Sequence, residues 1–163
     1  GRLELVLGFT DSQSILESSL EAVQEYAAQN QVQIDLCGTN IELEADTHRI
    51  SQVLVNFLSN AVKFSEAGGR ITVRTQQVDG IVEIRVIDTG RGVPQEHLES
   101  IFEPFQQVDA SDAREKGGTG LGLSICRGIV KQHGGEIGVE SVYGEGSEFW
   151  LRLAIPEYLR KAQ

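Results

Sequence analysis

The sequence predicts an α+β domain, a two-layer α/β sandwich in which a mixed, mostly antiparallel sheet of about five or more strands has helices on one face. Two observations predict this class. Several short segments alternate apolar and polar residues as half-buried strands do, whereas three longer segments repeat apolar residues at helical spacing. With 163 residues, 40% of them hydrophobic, the chain is long enough to bury one substantial core.

Composition narrows the classes of function. The net charge of −10 disfavours nonspecific binding to nucleic acid or to an acidic membrane, since both need a basic protein surface. The two cysteines, Cys37 and Cys126, lack a C-x-x-C spacing and are typical of a reducing compartment. No apolar run approaches membrane-spanning length, so we expect a cytoplasmic domain without direct membrane insertion. Because Gly1 begins abruptly, we expect a piece of a longer protein, whose own membrane anchoring stays open.

The first part of the chain is predicted to form a strand, a helix and two further strands. Leu3 to Leu7 alternates weakly, which predicts an edge strand. Ser14 and Glu17 are spaced as a capping box, and they open a helix that is predicted to end near Asn30. Alternating apolar residues predict two short strands, at about 32–36 and 41–45.

The best-defined element is a helix over residues 46–64, whose apolar side chains share one face. The opposite face has a polar stripe: Arg49, Gln52, Asn56, Asn60 and Lys63. Asparagine is a poor mid-helix residue, so a pair one turn apart needs a reason. The stripe is either a solvated face or a site. In a site, Asn56 and Asn60 would turn amide oxygens toward Mg²⁺, with Lys63 beside a phosphate.

A predicted hairpin follows, with strands at 70–75 and 81–87 joined through Val78-Asp79-Gly80. Its second strand runs into Asp88-Thr89-Gly90-Arg91-Gly92, a pattern that in isolation is usually only a turn. The polar segment from about 91 to 117 is too long for an ordinary connection and is predicted to be a flexible lid. Within it we expect a short helix at 94–101 and an apolar hook at Phe102-Glu103-Pro104-Phe105.

A glycine-dense loop, residues 117–123, leads directly into the third helix. Its glycines permit positive φ and let backbone N–H groups point into one concavity, and the following helix N-terminus favours an anion. A flexible loop without a ligand is the alternative, and the spacing is neither a Walker pattern nor a good dinucleotide fingerprint. The helix is predicted to end at His133-Gly134-Gly135, and two strands follow, around 137–139 and 149–153.

Four blocks, in order, resemble the ATP-binding catalytic domain of bacterial sensor histidine kinases, within the gyrase, chaperone, histidine-kinase and mismatch-repair ATPase superfamily. They are an N box at 52–65, a first glycine box at 88–93, an F box at 102–105 and a second glycine box at 118–123. The resemblance covers essentially the whole chain. It implies the Bergerat ATP-binding fold over residues 1–163, with ATP and Mg²⁺ as cofactors and residues 91–117 as the ATP lid.

The resemblance implies a role for each matched residue of the N box and of the first glycine box. Asn56 and Asn60 would present side-chain oxygens to Mg²⁺, and Lys63 would contact a phosphate. Phe64 would pack near the nucleotide. Asp88 would accept a hydrogen bond from the adenine amino group, where guanine has an acceptor instead.

The remaining matched residues would surround the same nucleotide. Phe102 and Phe105 would report lid closure, and Ser147 would lie near the adenine, although it is otherwise an ordinary turn serine. Many relatives place an arginine shortly after the F box to touch the γ-phosphate; here Arg114 is the candidate, as in hybrid kinases that have a receiver domain. The glycine-box residues expected to approach the nucleotide are Gly90, Gly92, Gly118, Thr119, Gly120, Leu121, Gly122 and Leu123.

The resemblance favours a kinase over a hydrolysing ATPase. Superfamily members that hydrolyse ATP place a glutamate one helical turn before the Mg²⁺ asparagine, whereas the corresponding residue here is Asn56, whose neutral amide cannot act as a general base. We therefore expect transfer of the γ-phosphoryl group to a histidine on a separate dimerisation domain, with Asn56, Lys63 and Arg114 as the catalytic residues. A response regulator receiver domain is the further partner that the resemblance implies.

The phospho-acceptor domain itself is expected to be absent from this chain. Neither His48, His97 nor His133 lies in the His-Glu/Asp-x-x-x-Pro context of an acceptor helix. Two alternatives stay open: a hydrolysing ATPase of the same superfamily, and a module that binds nucleotide only to gate protein contacts. A structural domain without nucleotide would require four motifs to coincide by accident.

Overall fold

The computed structural model describes residues 4–106 and 122–160. None of the helices in these two ranges has the length and apolar character of a membrane span. The elements, in chain order, are β1 (Gly8–Asp11), α1 (Ser12–Gln29), β2 (Gln33–Gly38), β3 (Glu42–Ala45), α2 (Thr47–Phe64), β4 (Arg70–Val78), β5 (Ile81–Asp88), a 3-10 helix (Gln95–His97), α3 (Gly122–Gln132), β6 (Glu136–Val142), β7 (Gly146–Ala154) and α4 (Glu157–Arg160).

The sheet has five strands in the order β2-β4-β5-β7-β6. β2 and β4 are parallel, and the other neighbours are antiparallel. The β4–β5 hairpin turns at Asp79 and Gly80, both at positive φ, as an Asp-Gly turn predicts. Alternate residues of β5 and β7 join apolar side chains of α1, α2 and α3 in one core: Val82, Ile84, Val86, Phe149, Leu151 and Leu153. The predicted α+β fold with a mixed, mostly antiparallel sheet is confirmed.

The N-terminal strand and the first helix cap differ from the prediction. The first strand lies at Gly8–Asp11, not at residues 3–7, and pairs antiparallel with β3 in a separate two-stranded sheet. Pairing with a partner strand decides the register here, and weak local alternation does not. The helix cap is Asp11, whose carboxylate accepts hydrogen bonds from the backbone N–H and the hydroxyl of Ser14 at 2.8 and 3.0 Å.

Asp46 connects three segments at the N-terminal end of α2. Its carboxylate accepts hydrogen bonds from the backbone N–H groups of Val6 at 2.9 Å and Arg49 at 3.1 Å. Its own backbone N–H donates to Nε2 of His133, directly after α3, at 3.0 Å. Nδ1 of His133 lies 2.8 Å from the Ile129 carbonyl oxygen, so the ring contacts the end of α3 as well as Asp46.

The sheet face away from the helices holds a buried ion cluster. Glu83 on β5 accepts hydrogen bonds from Arg85 at 3.0 and 3.2 Å and from Arg152 on β7 at 2.8 Å. The guanidinium of Arg152 also lies 4.0 Å from the ring centroid of Trp150. Burial alone would raise the pKa of Glu83, but the hydrogen bonds from Arg85, Arg152 and Gln76 outweigh burial and lower the pKa to about 2.

Candidate functional site

Segments that are distant in sequence meet beside the C-terminal end of β5. The first residue of α3 packs against the middle of α2 so closely that a Cβ atom on Gly122 would lie 2.3 Å from Nδ2 of Asn56. Across the sheet, Asp88 pairs with Ser147 on β7. The second half of α2 thus contacts the start of α3 at Asn56, and its last residue, Phe64, lies against Gly90 of the loop after β5. Residues from three of the four sequence blocks take part in these contacts.

Asn56 and Asn60 lie one helical turn apart on the same side of α2. Nδ2 of Asn60 donates a hydrogen bond to Oδ1 of Asn56 at 3.3 Å, and both residues are half-buried. Amide oxygens are hard ligands of the kind that Mg²⁺ accepts. Within the described ranges, no group of three or more His, Cys, Asp or Glu side chains could hold a metal ion. Two amide oxygens would leave most of the coordination sphere of a Mg²⁺ ion to other ligands.

Asp88 is a buried carboxylate, only 9% exposed, at the last position of β5. Its Oδ1 accepts a hydrogen bond from the backbone N–H of Gly90 at 2.9 Å, and the backbone N–H of Ser147 donates a second hydrogen bond to the carboxylate. Burial raises the pKa of Asp88, and these two hydrogen bonds lower it part of the way back. No cationic side chain in the described part of the chain contributes to that shift.

The first glycine box lies against the protein backbone on two sides. A Cβ atom on Gly90 would lie 2.5 Å from the carbonyl oxygen of Phe64, at the end of α2. Gly92 has φ +75°, and a Cβ atom there would lie 2.4 Å from the Val142 carbonyl oxygen. Both positions therefore require glycine to pack this loop between α2 and β6. Their expected approach to a base stays a prediction.

Two cationic side chains lie near the Phe64 ring. The ammonium of Lys63 lies 5.2 Å from the ring centroid, and the guanidinium of Arg91 lies 4.3 Å from it. Both are cation–π distances. The motifs assigned no role to Arg91, although its position between two glycines of the first glycine box could have marked it. Arg91 thus joins the loop after β5 to the end of α2.

The F box divides into a buried and an exposed phenylalanine. Phe102 is buried and packs edge-on against Phe149, with ring centroids 6.2 Å apart. Phe105 is 74% exposed and has φ +64°, an uncommon backbone conformation for a residue with a side chain. Glu103, between them, forms an ion pair with Arg127 of α3 at 3.2 Å. The expectation that Phe102 and Phe105 report closure of the lid stays a prediction.

Ser147 is buried, and its hydroxyl oxygen lies 3.0 Å from that of Ser141 on β6. Ser141 also accepts a hydrogen bond from the Val93 backbone N–H and donates one to the Gly146 carbonyl oxygen, both at 2.7 Å. No sequence motif singled out Ser141. The pairing of β6 with β7, which sets Ser141 opposite Ser147, becomes apparent only once the sheet is assembled.

Several predicted site residues lie outside the described ranges: Arg114, Gly118, Thr119, Gly120 and Leu121. Of the second glycine box, Gly122 and Leu123 are described, and Leu123 packs partly buried against the core. The predicted lid is described as far as residue 106, and its expected short helix is a single 3-10 turn, Gln95–His97.

Comparisons with known proteins identify the family of this chain. Residues 45–157 match the family of histidine kinase-, DNA gyrase B- and HSP90-like ATPases. Histidine protein kinase DivJ of Caulobacter vibrioides is 36% identical over 156 residues, which are 94% of this chain and 26% of DivJ. The chain therefore spans about a quarter of the length of that relative.

Two solved structures have the same fold. Full-length ShkA in complex with AMPPNP matches with a TM-score of 0.83 and 34% identity, over 96% of this chain and 33% of ShkA. Histidine kinase ThkA in complex with response regulator protein TrrA matches with a TM-score of 0.75 and 28% identity, over 93% of this chain and 43% of that chain. Because the family match extends over most of the domain and includes α2, Asp88 and α3, this chain belongs to the histidine kinase-, DNA gyrase B- and HSP90-like ATPase family, as a catalytic domain of the histidine kinase type.

Proposed function

We propose that this domain binds Mg-ATP and transfers the γ-phosphoryl group to a histidine on a separate dimerisation domain. The observation that supports this most directly is Asp88, a buried carboxylate held by two backbone N–H groups. A buried carboxylate is stable when further donors complete its hydrogen bonding. The adenine amino group is such a donor, whereas guanine has a carbonyl acceptor at the corresponding position.

The phosphates and Mg²⁺ would lie beside α2 and the start of α3. Asn56 and Asn60 would each present an amide oxygen to Mg²⁺, which neutralises phosphate charge when bound. Lys63 would contact a phosphate, and the amides at the start of α3, next to Asn56, would favour the same anion. The remainder of the second glycine box and Arg114, as the γ-phosphate cation, complete the proposed site.

The proposed reaction is transfer and not hydrolysis, because Asn56 occupies the position at which a hydrolysing relative needs a carboxylate. A neutral amide cannot remove a proton from water. Phosphoryl transfer depends mainly on positioning and charge neutralisation, so a histidine presented by a partner domain can serve as the nucleophile. ThkA has been solved with a response regulator, and we propose a receiver domain as the downstream partner here too, in the cytoplasm.

The test is an ATP titration by calorimetry, with Mg²⁺ and with EDTA, followed by labelled ATP and a supplied acceptor domain. We expect binding that weakens roughly tenfold without Mg²⁺, and acid-labile label on the acceptor. Asn60→Ala should lose most of the Mg²⁺ dependence, whereas the control Asn30→Ala, at the exposed end of α1, should keep it. Absence of ATP binding contradicts the proposal, and steady phosphate release without an acceptor supports the hydrolysing ATPase instead.

A further inference from the structure

Ser141 uses its full hydrogen-bonding capacity. Its hydroxyl oxygen accepts from the Val93 N–H at 2.7 Å, donates to the Gly146 carbonyl oxygen at 2.7 Å and lies 3.0 Å from Oγ of Ser147. A serine hydroxyl has one proton and two lone pairs. Since a carbonyl oxygen can only accept, the proton of Ser141 points to Gly146. The hydroxyl of Ser147 is therefore the donor in the third contact.

The partners of Ser141 belong to the two backbone segments that donate hydrogen bonds to the Asp88 carboxylate. Val93 is the last residue of the first glycine box, and Gly90 of the same box donates its N–H to Oδ1 of Asp88 at 2.9 Å. Ser147, in the other segment, donates its backbone N–H to the same carboxylate. Ser141 itself does not touch Asp88 in the hydrogen bonds described. Its hydroxyl instead joins the two backbone segments that orient this carboxylate.

Resting on the proposed function, we infer that Ser141 is a positioning residue for adenine recognition. Its hydroxyl holds the loop after β5 against the β6–β7 turn, so that both backbone amides are aimed at Asp88. The carboxylate is thereby held in one orientation, with its remaining lone pairs directed toward the amino group of the base. Without the hydroxyl, the Val93 N–H and the Gly146 carbonyl lose a partner. The loop is then held against the β6–β7 turn by fewer hydrogen bonds, among them the one from the Gly144 N–H to the Arg91 carbonyl oxygen at 2.6 Å.

A pair of ligands separates this role from a general loss of structure. Purine riboside triphosphate lacks the 6-amino group and keeps the rest of ATP, so the ratio of the two dissociation constants reports the contact with Asp88. We expect the wild-type domain to bind ATP roughly tenfold more tightly than purine riboside triphosphate. In Ser141→Ala this ratio should fall by roughly fivefold, with little change in affinity for purine riboside triphosphate. Ser141→Thr keeps the hydroxyl and should restore the ratio.

Ser19 provides the matched control. It is a buried serine on α1, whose hydroxyl donates to the Ile15 carbonyl oxygen at 2.7 Å and lies 3.1 Å from Oγ of Ser51. Ser19→Ala removes a comparable hydroxyl at a distance from the site. We expect it to lower the melting temperature as much as Ser141→Ala does and to leave the nucleotide ratio at its wild-type value.

The outcomes distinguish a positioning role of Ser141 from a general effect on the structure. A wild-type ratio in Ser141→Ala overturns the inference, and so does an equal loss of both nucleotides that threonine does not restore. If the alanine variant does not fold, Ser141→Cys replaces it; its thiol is a weak hydrogen-bonding group and should give an intermediate ratio, so a wild-type ratio there overturns the inference. If the wild-type domain binds neither nucleotide, the proposed function fails, and that result is distinct from any effect of Ser141.

Discussion

Two buried carboxylates on β5 lie on opposite faces of the sheet and have opposite pKa shifts. Glu83 is 6% exposed, accepts hydrogen bonds from two arginines and has its pKa lowered to about 2. Asp88 is 9% exposed and accepts hydrogen bonds from two backbone amides, and burial raises its pKa. The fold thus gives Glu83 two cationic hydrogen-bond donors, whereas the donors to Asp88 are two neutral backbone amides.

This difference distinguishes a structural carboxylate from one suited to a ligand. The charge of Glu83 is neutralised by Arg85 and Arg152, so that its contribution belongs to folding. Asp88 is oriented by the protein but is not neutralised by a cation in the described residues. A neutral donor from a base can complete its hydrogen bonding without forming an ion pair, which is what selective recognition of an amino group needs.

Removal of the Glu83 charge should have the largest effect on stability. Glu83→Gln leaves Arg85 buried with an incomplete set of counter-charges, and we expect a loss of about 3 kcal/mol in the free energy of unfolding, with ATP affinity unchanged. Urea denaturation and calorimetric titration measure the two quantities. The matched control is Glu140→Gln, which removes an exposed partner of Arg85 and should cost less than about 1 kcal/mol. A drop in ATP affinity in Glu83→Gln would contradict the assignment of Glu83 to folding alone.

Acid should remove the same contribution from the wild-type domain. The pKa of Glu83 falls from 4.5 to about 2 on folding, so its stabilisation is complete above 4.5 and is lost as the pH falls toward 2. The expected loss is about 3 kcal/mol. Asp88 acts in the opposite direction, because its raised pKa stabilises the fold at low pH and loses that effect as the pH rises through it.

Urea unfolding between pH 2 and 7 tests this assignment. Glu83→Gln should flatten the acid limb of the stability curve, and Asp88→Asn should make it slightly steeper. An acid limb that is unchanged in Glu83→Gln would mean that another carboxylate is responsible for the loss.

Asp88→Asn should have its effect on binding and little on folding. The asparagine side chain keeps an acceptor for the Gly90 N–H but presents an NH₂ group where the base presents its own amino group. We expect ATP affinity to fall by about 2 kcal/mol, or roughly thirtyfold, while the free energy of unfolding stays within about 0.5 kcal/mol of wild type. Asp35→Asn, a change at a half-buried residue on β2 that pairs with Arg70, is the control. Unchanged ATP binding in Asp88→Asn would remove this residue from the site.

Arg152→Lys should have the smallest effect and still sharpen the comparison. Lysine keeps the positive charge near Glu83 but loses the planar fork and the stacking on Trp150. We expect a loss of about 1 kcal/mol in stability and no change in the ratio of ATP to purine riboside triphosphate binding. A changed ratio would show that the two faces of the sheet are coupled.

Much of the fold and part of the site could be predicted because the relevant patterns are local. The two faces of α2, the Asp79-Gly80 hairpin turn and the end of β5 at Asp88 all follow from spacing within one segment. By contrast, the register of β1 depends on β3, and the cap at Asp11 replaces the expected box at Ser14. Local propensity alone allows more than one position for this strand and for this cap, and the tertiary contacts decide which is adopted.

The side chains that the motifs missed owe their positions to contacts between distant segments. Arg91 becomes noticeable only through its contact with Phe64, which lies 27 positions earlier in the chain. Ser141 gains its three partners only when β6 pairs with β7 and the loop after β5 packs beside them. A single sequence has no periodicity that reports such contacts.

The junction at Asp46 has a mechanical consequence. Asp46 forms hydrogen bonds with the backbone at Val6, with the first turn of α2 and with the imidazole of His133 after α3. A pull on the chain at Val6 acts on its hydrogen bond to Asp46 as well as on β1, which begins two residues later. Because α2 is one continuous helix from Thr47 to Phe64, Asn56 and Asn60 belong to the same rigid element that Asp46 caps.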